Sequence, residues 1–329
     1  MLLRVCGHHS TRSSFAILDA MGPSRSPIRC VASFALLSLV LVPQSWAWGH
    51  DAHSIINRLA GAALPSDVPA FLRSPAALDA LAYYGPQPDH WRSEEKALYN
   101  TLLPEHDIDF EVADLAGPLP RTRYDFIEAL KLTQAEHPEL NLAPQKVGLL
   151  PYSATETYVI LKSAMRDYRG LVADKQDTKP VEAEIIFLAG LLGHYVGDGS
   201  QPLHTTVNYN GWTTANPQNY ANDHTIHARF EGDYVHNNVI AADVAPLIDA
   251  KPVVIQDVFT DFLNFLRHSN TLVEKVYQLD KTGAFTDKGT PEGKAFAEEC
   301  MANGSIKLRD MIYTAWVESA APIPVYKGN

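Results

Sequence analysis

A histidine and an aspartate at helical spacing are the strongest chemical signal in the sequence. His194 and Asp198 are four residues apart, and His204 follows a turn that contains Pro202. Residues four apart share one face of a helix, so this pair can point at one ion and His204 can fold back toward it. Imidazole and carboxylate groups suit zinc. The spacing predicts a metal site, although a capping aspartate beside two ordinary histidines has the same sequence.

A second pair, His227 and Glu231, has the same spacing of four residues. It can chelate one ion from one helix face, whereas a surface ion pair would show the same pattern. His224 lies three residues earlier and competes for the role of ligand. Two such pairs in one acidic chain favour metal binding over two unrelated ion pairs.

The segment from Trp48 to His53 offers a third group of ligands. If processing makes Trp48 the first residue, its α-amino nitrogen and carbonyl oxygen can form a five-membered chelate, which His53 joins from the following helix. His50 competes with His53, because one turn of chain can present either ring. Asp89 and His106 are further candidates; each closely follows a proline, and neither lies in a predicted helix.

The first 47 residues have the pattern of a secretory signal peptide. Arginines precede an apolar run at 31–42, and the small-residue stretch Ser45–Ala47 follows. The run has 12 residues, fewer than the ~20 that span a membrane. Cleavage before Trp48 would place the mature protein in the periplasm or outside the cell, and Met21 is an alternative start.

The mature chain, residues 48–329, has 282 residues, enough to bury a large core as one domain. It carries 23 basic and 37 acidic side chains, so its net charge is −14. This balance argues against a broad surface for nucleic acid. Cys300 is the one cysteine left after processing, which excludes an internal disulfide framework and leaves metal as a candidate staple. The mature sequence implies no transmembrane segment and no stable protein partner.

Apolar residues recur every three to four positions through most of the mature sequence, which predicts an all-α bundle. The predicted helices cover residues 55–63, 151–165, 181–197, 254–279 and 291–319. Segments 84–91 and 199–220 are rich in turn-forming residues and predict loops beside the clustered ligands.

Taken in order, the candidate ligands resemble those of the zinc-dependent phospholipase C and single-strand-specific nuclease superfamily, which includes the S-one/P-one type nucleases. The shared order is Trp–His–Asp–His–His-x3-Asp-x5-His–His-x3-acid, from Trp48 to Glu231. Its most specific parts are the segments 194–198 (His-Tyr-Val-Gly-Asp) and 201–204 (Gln-Pro-Leu-His). The resemblance implies a single-domain helical bundle around a cleft with three Zn²⁺ ions.

The resemblance also implies which residues hold each ion. The ligands of the first Zn²⁺ would be Asp89, His106, His194 and Asp198. Those of the second would be His204, His227 and Glu231. The third would be held by the amine and carbonyl of Trp48 together with His53, and Asp198 would bridge it to the first. Water activated by zinc would attack phosphorus, with Asp89 and Asp198 as the catalytic carboxylates.

The sequence divides between the two branches of this superfamily. Glu231 is typical of the phospholipases, and segment 208–222 lacks the Gly-Gly-Asn sequence that the nucleases usually carry. The five-residue step from Trp48 to His53 is instead that of the nucleases. We expect a secreted or periplasmic zinc-dependent phosphodiesterase of phospholipase C type, with a phospholipid head group as substrate. The alternatives are an endonuclease that cleaves single-stranded nucleic acid and a non-catalytic zinc-binding protein.

Either substrate would need aromatic walls, for a choline group or for a base. The candidates near the ligands are Trp91, Phe110, Tyr209 and Trp212. Each of these rings is equally compatible with a place in the core.

Overall fold

The computed structural model describes residues 48–249 and 251–323, so the predicted signal peptide lies outside the described residues. The described residues belong to one compact unit of helices and loops, with no β-strand among them. This confirms the all-α prediction. Within the same ranges, no helix combines the length and the apolarity needed to cross a membrane.

The helices are numbered here in chain order. The α-helices are α1 His50–Ala62, α2 Pro75–Tyr84, α3 Gln87–Glu94, α4 Lys96–Leu102, α5 Phe110–Ala113, α6 Arg123–Glu136, α7 Pro144–Val147, α8 Leu150–Ala173, α9 Lys179–Ser200, α10 Val235–Asn238, α11 Ala241–Val244, α12 Val258–Thr271, α13 Val273–Lys281 and α14 Pro291–Glu318. Short 3₁₀ turns lie at Ala70–Arg73, Leu103–Glu105, Asp114–Ala116, Pro202–Thr205 and Ala245–Leu247, and a π-helical turn lies at Ala228–Tyr234.

The five predicted helical segments correspond to α1, α8, α9, α12 with α13, and α14, whereas the other eight α-helices of the described residues were not predicted. Pro151 occupies the first turn of α8, where its missing N–H group costs no helical hydrogen bond. The predicted helix at 254–279 is divided at Leu272 into α12 and α13. The predicted loop at 84–91 is wrong in its second half, because Pro88 lies in the first turn of α3 instead of breaking a helix.

Two long helices, α8 and α9, pack against each other at the centre, and α1, α2 and α14 pack on α9. Residues 192–200 of α9 are buried on every face, because these neighbouring helices surround the end of α9. Polar side chains in this stretch are therefore removed from water, so they need partners within the protein or a bound ion.

Two glycines of α9 allow α1 to approach closely. A Cβ atom at Gly193 would lie 2.0 Å from Oδ1 of Asn57, and one at Gly197 would lie 2.8 Å from Nδ1 of His53. No larger residue fits at these positions without displacing α1. The glycines thus bring His53 against the ligand-bearing end of α9.

Candidate metal centre

The end of α9 and the turn after it position three of the predicted ligands. His194 and Asp198 lie one helical turn apart and are fully buried. Gln201 caps the following 3₁₀ turn by accepting a hydrogen bond from the amide of Leu203 at 2.5 Å. This cap turns the chain back, so that His204 also lies in the centre.

The first group of ligand atoms comes from Asp89, His106 and His194, whose atoms lie within 4.8 Å of one another. Nε2 of His194 is 2.8 Å from Nδ1 of His106. Asp198 joins them, with Oδ2 at 3.1 Å from the His106 nitrogen and 3.2 Å from the His194 nitrogen. Oδ1 of Asp89 lies 3.6 Å from the same His106 nitrogen. The structure therefore brings together the four residues predicted for the first ion.

The second group consists of His204, His227 and Glu231. Nε2 of His227 lies 2.8 Å from Oε1 of Glu231, and Nε2 of His204 lies 3.4 Å from Oε2. Glu231 lies in a π-helical turn that begins directly after His227, instead of in the predicted α-helix. The wider turn still places residues four apart side by side, and π turns of this kind are frequent at functional sites.

The third group consists of His53, His194 and Asp198. Nε2 of His53 lies 3.4 Å from Oδ1 of Asp198, and its ring stacks on His194 with centroids 4.3 Å apart. The two oxygens of Asp198 thus face different groups. This is the arrangement expected of a bridging carboxylate.

Trp48 is buried beside these groups. Its indole nitrogen donates to the hydroxyl of Ser200 at 3.1 Å, and its ring packs on Phe230 with centroids 5.4 Å apart. The next amide, that of Gly49, donates to the carbonyl of Glu231 at 3.2 Å. The start of the predicted mature chain is therefore fixed between the end of α9 and the turn that carries Glu231.

The spacing of these atoms fits a small tetrahedral ion. With zinc–ligand bonds of ~2.0–2.1 Å, two ligand atoms on one zinc lie about 3.3 Å apart. Several of the buried atoms have no hydrogen-bond partner among the described residues: both ring nitrogens of His53, Oδ1 of Asp198 and Nε2 of His204. Unpartnered buried polar atoms are costly, and a metal ion would satisfy those that converge.

Three of the histidines are held in the tautomer that metal binding requires. Their Nδ1 atoms lie close to backbone carbonyl oxygens: His194 to Gly85 at 2.8 Å, His204 to His106 at 2.7 Å and His227 to Tyr209 at 3.0 Å. A carbonyl can only accept, so Nδ1 of each ring carries a proton, and in the neutral ring the lone pair lies on Nε2, which faces the group.

Two buried carboxylates of the centre, Asp198 and Glu231, have lowered pKa values. Burial alone would raise the pKa of Asp198, but His194 and His204 hold it well below its ordinary value. Burial also opposes ionisation of Glu231, yet His227 and His204 lower its pKa to about 2. Both carboxylates therefore offer charged oxygen atoms at neutral pH.

The histidines differ in their protonation. Burial, and then the charge of Arg92, lower the pKa of His106 to about 4, so this ring is neutral and ready to bind an ion. Burial also lowers the pKa of His204, but Asp198 and Glu231 outweigh it and raise that pKa to about 10. A metal ion at the second group must therefore displace a proton from His204.

The two competing histidines lie outside the groups. His50 is exposed and lies beside Asp51, with Nδ1 at 3.5 Å from Oδ1. His224 is also exposed, and its Nδ1 lies 2.9 Å from the carbonyl of Asn210. The structure thus brings His53 and His227 into the centre, as the predicted ligand sets require.

Two contacts to the ligands are absent from the sequence-based prediction, although Gln201 belongs to the motif at 201–204. Arg92 donates to Oδ1 of Asp89 at 2.7 Å, and Gln201 donates to Oε2 of Glu231 at 2.7 Å. Arg92 follows Asp89 by three residues on α3, a spacing that could have revealed it had the helix been predicted. Gln201 and Glu231 are 30 residues apart, so their contact depends on the fold.

Of the four candidate aromatic residues, Tyr209 is the one whose ring is largely exposed next to the ligands. It is 55% exposed, and its ring centroid lies 6.1 Å from that of His227. Phe110 is buried beneath Arg267, Trp212 packs on Tyr277, and Trp91 lies near Phe187.

The chain matches no family model, no curated protein and no solved structure. The centre is therefore defined by its own geometry. Three groups of buried histidine, aspartate and glutamate side chains, each with ligand atoms close together, can hold metal ions.

Proposed function

We propose that this protein is a zinc-dependent hydrolase of phosphodiester bonds. The observation that carries the proposal is that two of the three ligand groups share His194, while Asp198 faces both of them. Shared ligands hold ions near one another, and metal ions a few ångströms apart act together on phosphoryl oxygens. The mixture of imidazole and carboxylate ligands suits zinc better than magnesium or calcium.

The proposal includes three Zn²⁺ ions and the removal of residues 1–47 during export. The first ion would be held by Asp89, His106, His194 and Asp198. The second would be held by His204, His227 and Glu231. The third would be held by His53, Asp198 and the amine and carbonyl of Trp48, which cleavage after Ala47 would free.

Bound zinc would supply Lewis-acid polarisation of a phosphoryl oxygen and would lower the pKa of water. The side chains fix the geometry around it. Arg92 donates to Oδ1 of Asp89, which leaves Oδ2 of that residue, 4.0 Å from Nε2 of His53, to accept a proton from the attacking water. Burial of the ligands excludes bulk water, so the charges of Asp198 and Glu231 would attract the Zn²⁺ ions with little screening by solvent.

The second group supports catalysis over a purely structural role. It supplies three protein ligands, whereas structural zinc sites normally have four. A catalytic zinc site keeps a fourth position open for water or substrate. The three-ligand second group therefore favours the phospholipase C or the nuclease over a non-catalytic zinc-binding protein.

The surroundings of the second group favour a phospholipase C over a nuclease. Asp107 and Asp109 flank Ile108, whose amide donates to the carbonyl of His204 at 2.9 Å. Burial raises the pKa of Asp107 to about 6, and burial together with Asp107 raises that of Asp109 to about 8. A bound cationic head group would favour their ionised forms, and neither residue offers positive charge to a polyanionic strand. Tyr209 supplies an aromatic face for the same cation.

The nuclease is the second candidate, and the same tyrosine supports it. An exposed ring beside His227 is also a surface on which a nucleobase can stack. The five-residue step from Trp48 to His53 favours this branch as well.

The deciding experiment compares two substrates with one batch of processed, zinc-loaded protein. Monomeric short-chain phosphatidylcholine and a single-stranded DNA oligomer are offered side by side, with a chelated sample as control. We expect chelator-sensitive cleavage of the phospholipid. Preferred cleavage of DNA would establish the nuclease instead, and cleavage of neither despite three bound zinc ions would favour the structural role.

Two aspartate variants complete this experiment. Asp198→Asn should lower turnover by more than about 100-fold and weaken two zinc ions together, because even residues behind the ligands change metal affinity 10–100-fold. Asp257→Asn is the matched control, since Asp257 pairs with Arg121 at the surface. Unchanged zinc content in Asp198→Asn would contradict the bridging role.

A further inference from the structure

His106 differs from the other ligands in how its ring is held. The rings of His194, His204 and His227 each donate Nδ1–H to a backbone carbonyl. His106 instead points Nδ1 at the first group, and its far nitrogen, Nε2, is buried without a hydrogen-bond partner among the described residues. No hydrogen bond behind the ring fixes its orientation, so its position depends on its backbone.

The residue before His106 is held firmly. Arg123 donates to both carboxylate oxygens of Glu105, at 2.6 and 2.8 Å, and the hydroxyl of Ser153 donates to the same carboxylate at 2.5 Å. The side chains of Arg123 and Glu105 are only 18% and 16% exposed. Paired charges shielded from water in this way, with two parallel hydrogen bonds, hold their geometry better than exposed pairs.

Arg123 is itself fixed from a third element. Its Nε lies 3.1 and 3.0 Å from the two oxygens of Glu156, and one terminal nitrogen lies 2.8 Å from the same carboxylate. Arg123 is the first residue of α6, Glu156 lies in α8, and Glu105 ends the 3₁₀ turn before His106. One guanidinium group thus ties the ligand-bearing turn to two helices.

The same short segment also supports the second group. The carbonyl oxygen of His106 accepts the hydrogen bond from Nδ1 of His204 at 2.7 Å. A shift of Glu105 and His106 would therefore move the ring of His106, a ligand of the first group. The same shift would break the hydrogen bond that fixes the tautomer of His204, a ligand of the second group. In the third group, His194 and Asp198 contact the ring of His106. The ring of His53, which belongs to the third group alone, has no hydrogen bond to this segment.

We propose that Arg123 is a positioning residue, which fixes His106 through Glu105 and thereby sets the metal affinity of the first and second groups. The inference rests on the proposed function only for the identity of the metal. It concerns metal binding and can be tested without any measurement of turnover.

The test measures release of zinc from the processed, loaded protein to a chromogenic chelator. In Arg123→Met, two of the three zinc ions should leave at least about tenfold faster, as expected when a group behind a ligand is lost. Arg123→Lys keeps a charge but not the two-pronged geometry, so its release should be intermediate. Arg121→Met is the matched control, because Arg121 makes an equally two-pronged pair with Asp257 at the surface and should release zinc like the wild type.

A second variant separates positioning from general stability. Arg123→Met leaves Glu105 partly buried and unpaired, which destabilises the fold; the double variant Arg123→Met/Glu105→Gln removes that charge. We expect the double variant to regain thermal stability while two zinc ions still leave quickly. Wild-type release from a folded double variant, or equal acceleration of all three ions, would overturn the proposal. If two ions leave quickly from the Arg123 variants but the wild type cleaves no phosphodiester, the positioning role of Arg123 is supported and the proposed function is rejected. A wild type that binds no zinc would overturn both proposals.

Discussion

Among single residues, Asp198 connects most of the centre. Its Oδ2 lies 3.1 Å from His106 and 3.2 Å from His194, while its Oδ1 lies 3.4 Å from His53. The charge of Asp198 also contributes to the raised pKa of His204 in the second group. One carboxylate therefore influences all three groups.

The raised pKa of His204 predicts that zinc binding releases a proton. With a pKa of about 10 this ring is protonated at neutral pH, but only the neutral ring can bind zinc. Titration of chelator-stripped protein with zinc at about pH 8 should release roughly one proton from His204, measurable by calorimetry in buffers of different ionisation enthalpy. Glu231→Gln removes one cause of the raised pKa and one ligand of the same ion, and both changes should reduce this release. Zinc binding without proton release would contradict the assigned charge state.

At the scale of elements, the contact between α1 and α9 fixes the third group. The missing side chain of Gly197 makes room for His53, because an added Cβ atom would lie 2.8 Å from its Nδ1. The position of His53, whose ring stacks on His194, thus depends on the absence of a Cβ atom at residue 197 of α9.

Gly197→Ala should therefore displace His53 and weaken the third zinc selectively. We expect a loss of affinity of at least about tenfold for one ion of three, measured by competition with a chelator. Gly170→Ala in α8 is the matched control, since an added Cβ atom there meets nothing within 4 Å. This control should stabilise the protein by ~0.5–1 kcal/mol through helix propensity. Equal zinc affinities in the two variants would show that α1 can adjust.

The two residues before α1, Trp48 and Gly49, lead to a second prediction at this scale. The indole of Trp48 is fixed by Ser200 and the amide of Gly49 by Glu231, so the backbone of Trp48 has little freedom. One residue added before Trp48 should remove the free amine and reduce bound zinc from three ions to two. Zinc analysis of the extended and the processed protein measures this directly, and three ions with full activity in the extended protein would reject the amine as a ligand.

The elements that could be predicted are those set by local sequence. Apolar periodicity predicts α1, α8, α9 and α14, and a spacing of four predicts that His194 and Asp198 share a face. The location of Asp89 in a helix could not be predicted in this way. Pro88 is typical of a loop in the sequence, whereas in the structure it lies in the first turn of α3, where proline is tolerated. The carbonyl partners of the histidines depend on contacts such as that between His194 and Gly85, 109 residues apart, which only the complete fold provides.

At the scale of the whole molecule, the centre lies where two hydrophobic clusters meet. The first cluster surrounds α8 and α9, and the second includes Trp48, α13 and much of α14. Helix α1 contributes Ala60 to the first cluster and Ile56 to the second, with His53 one turn before Ile56. The ligands thus connect both halves of the core.

Removal of metal should therefore lower the stability of the entire described unit. A ligand that binds only the folded protein at 100 times its Kd adds about 2.7 kcal/mol, and at this chain length 1 kcal/mol corresponds to roughly 2–4 °C in Tm. We expect excess chelator to lower Tm by more than about 5 °C in a single transition, and added zinc to restore it. Asp198→Asn, which lacks the ligand shared by two groups, should respond less to the chelator than Asp257→Asn, because its sites are already weakened. If chelator leaves the Tm of the wild type unchanged, zinc does not bind the folded chain more tightly than the unfolded chain. Separate transitions for the two halves would mean that the ligands do not couple the two clusters.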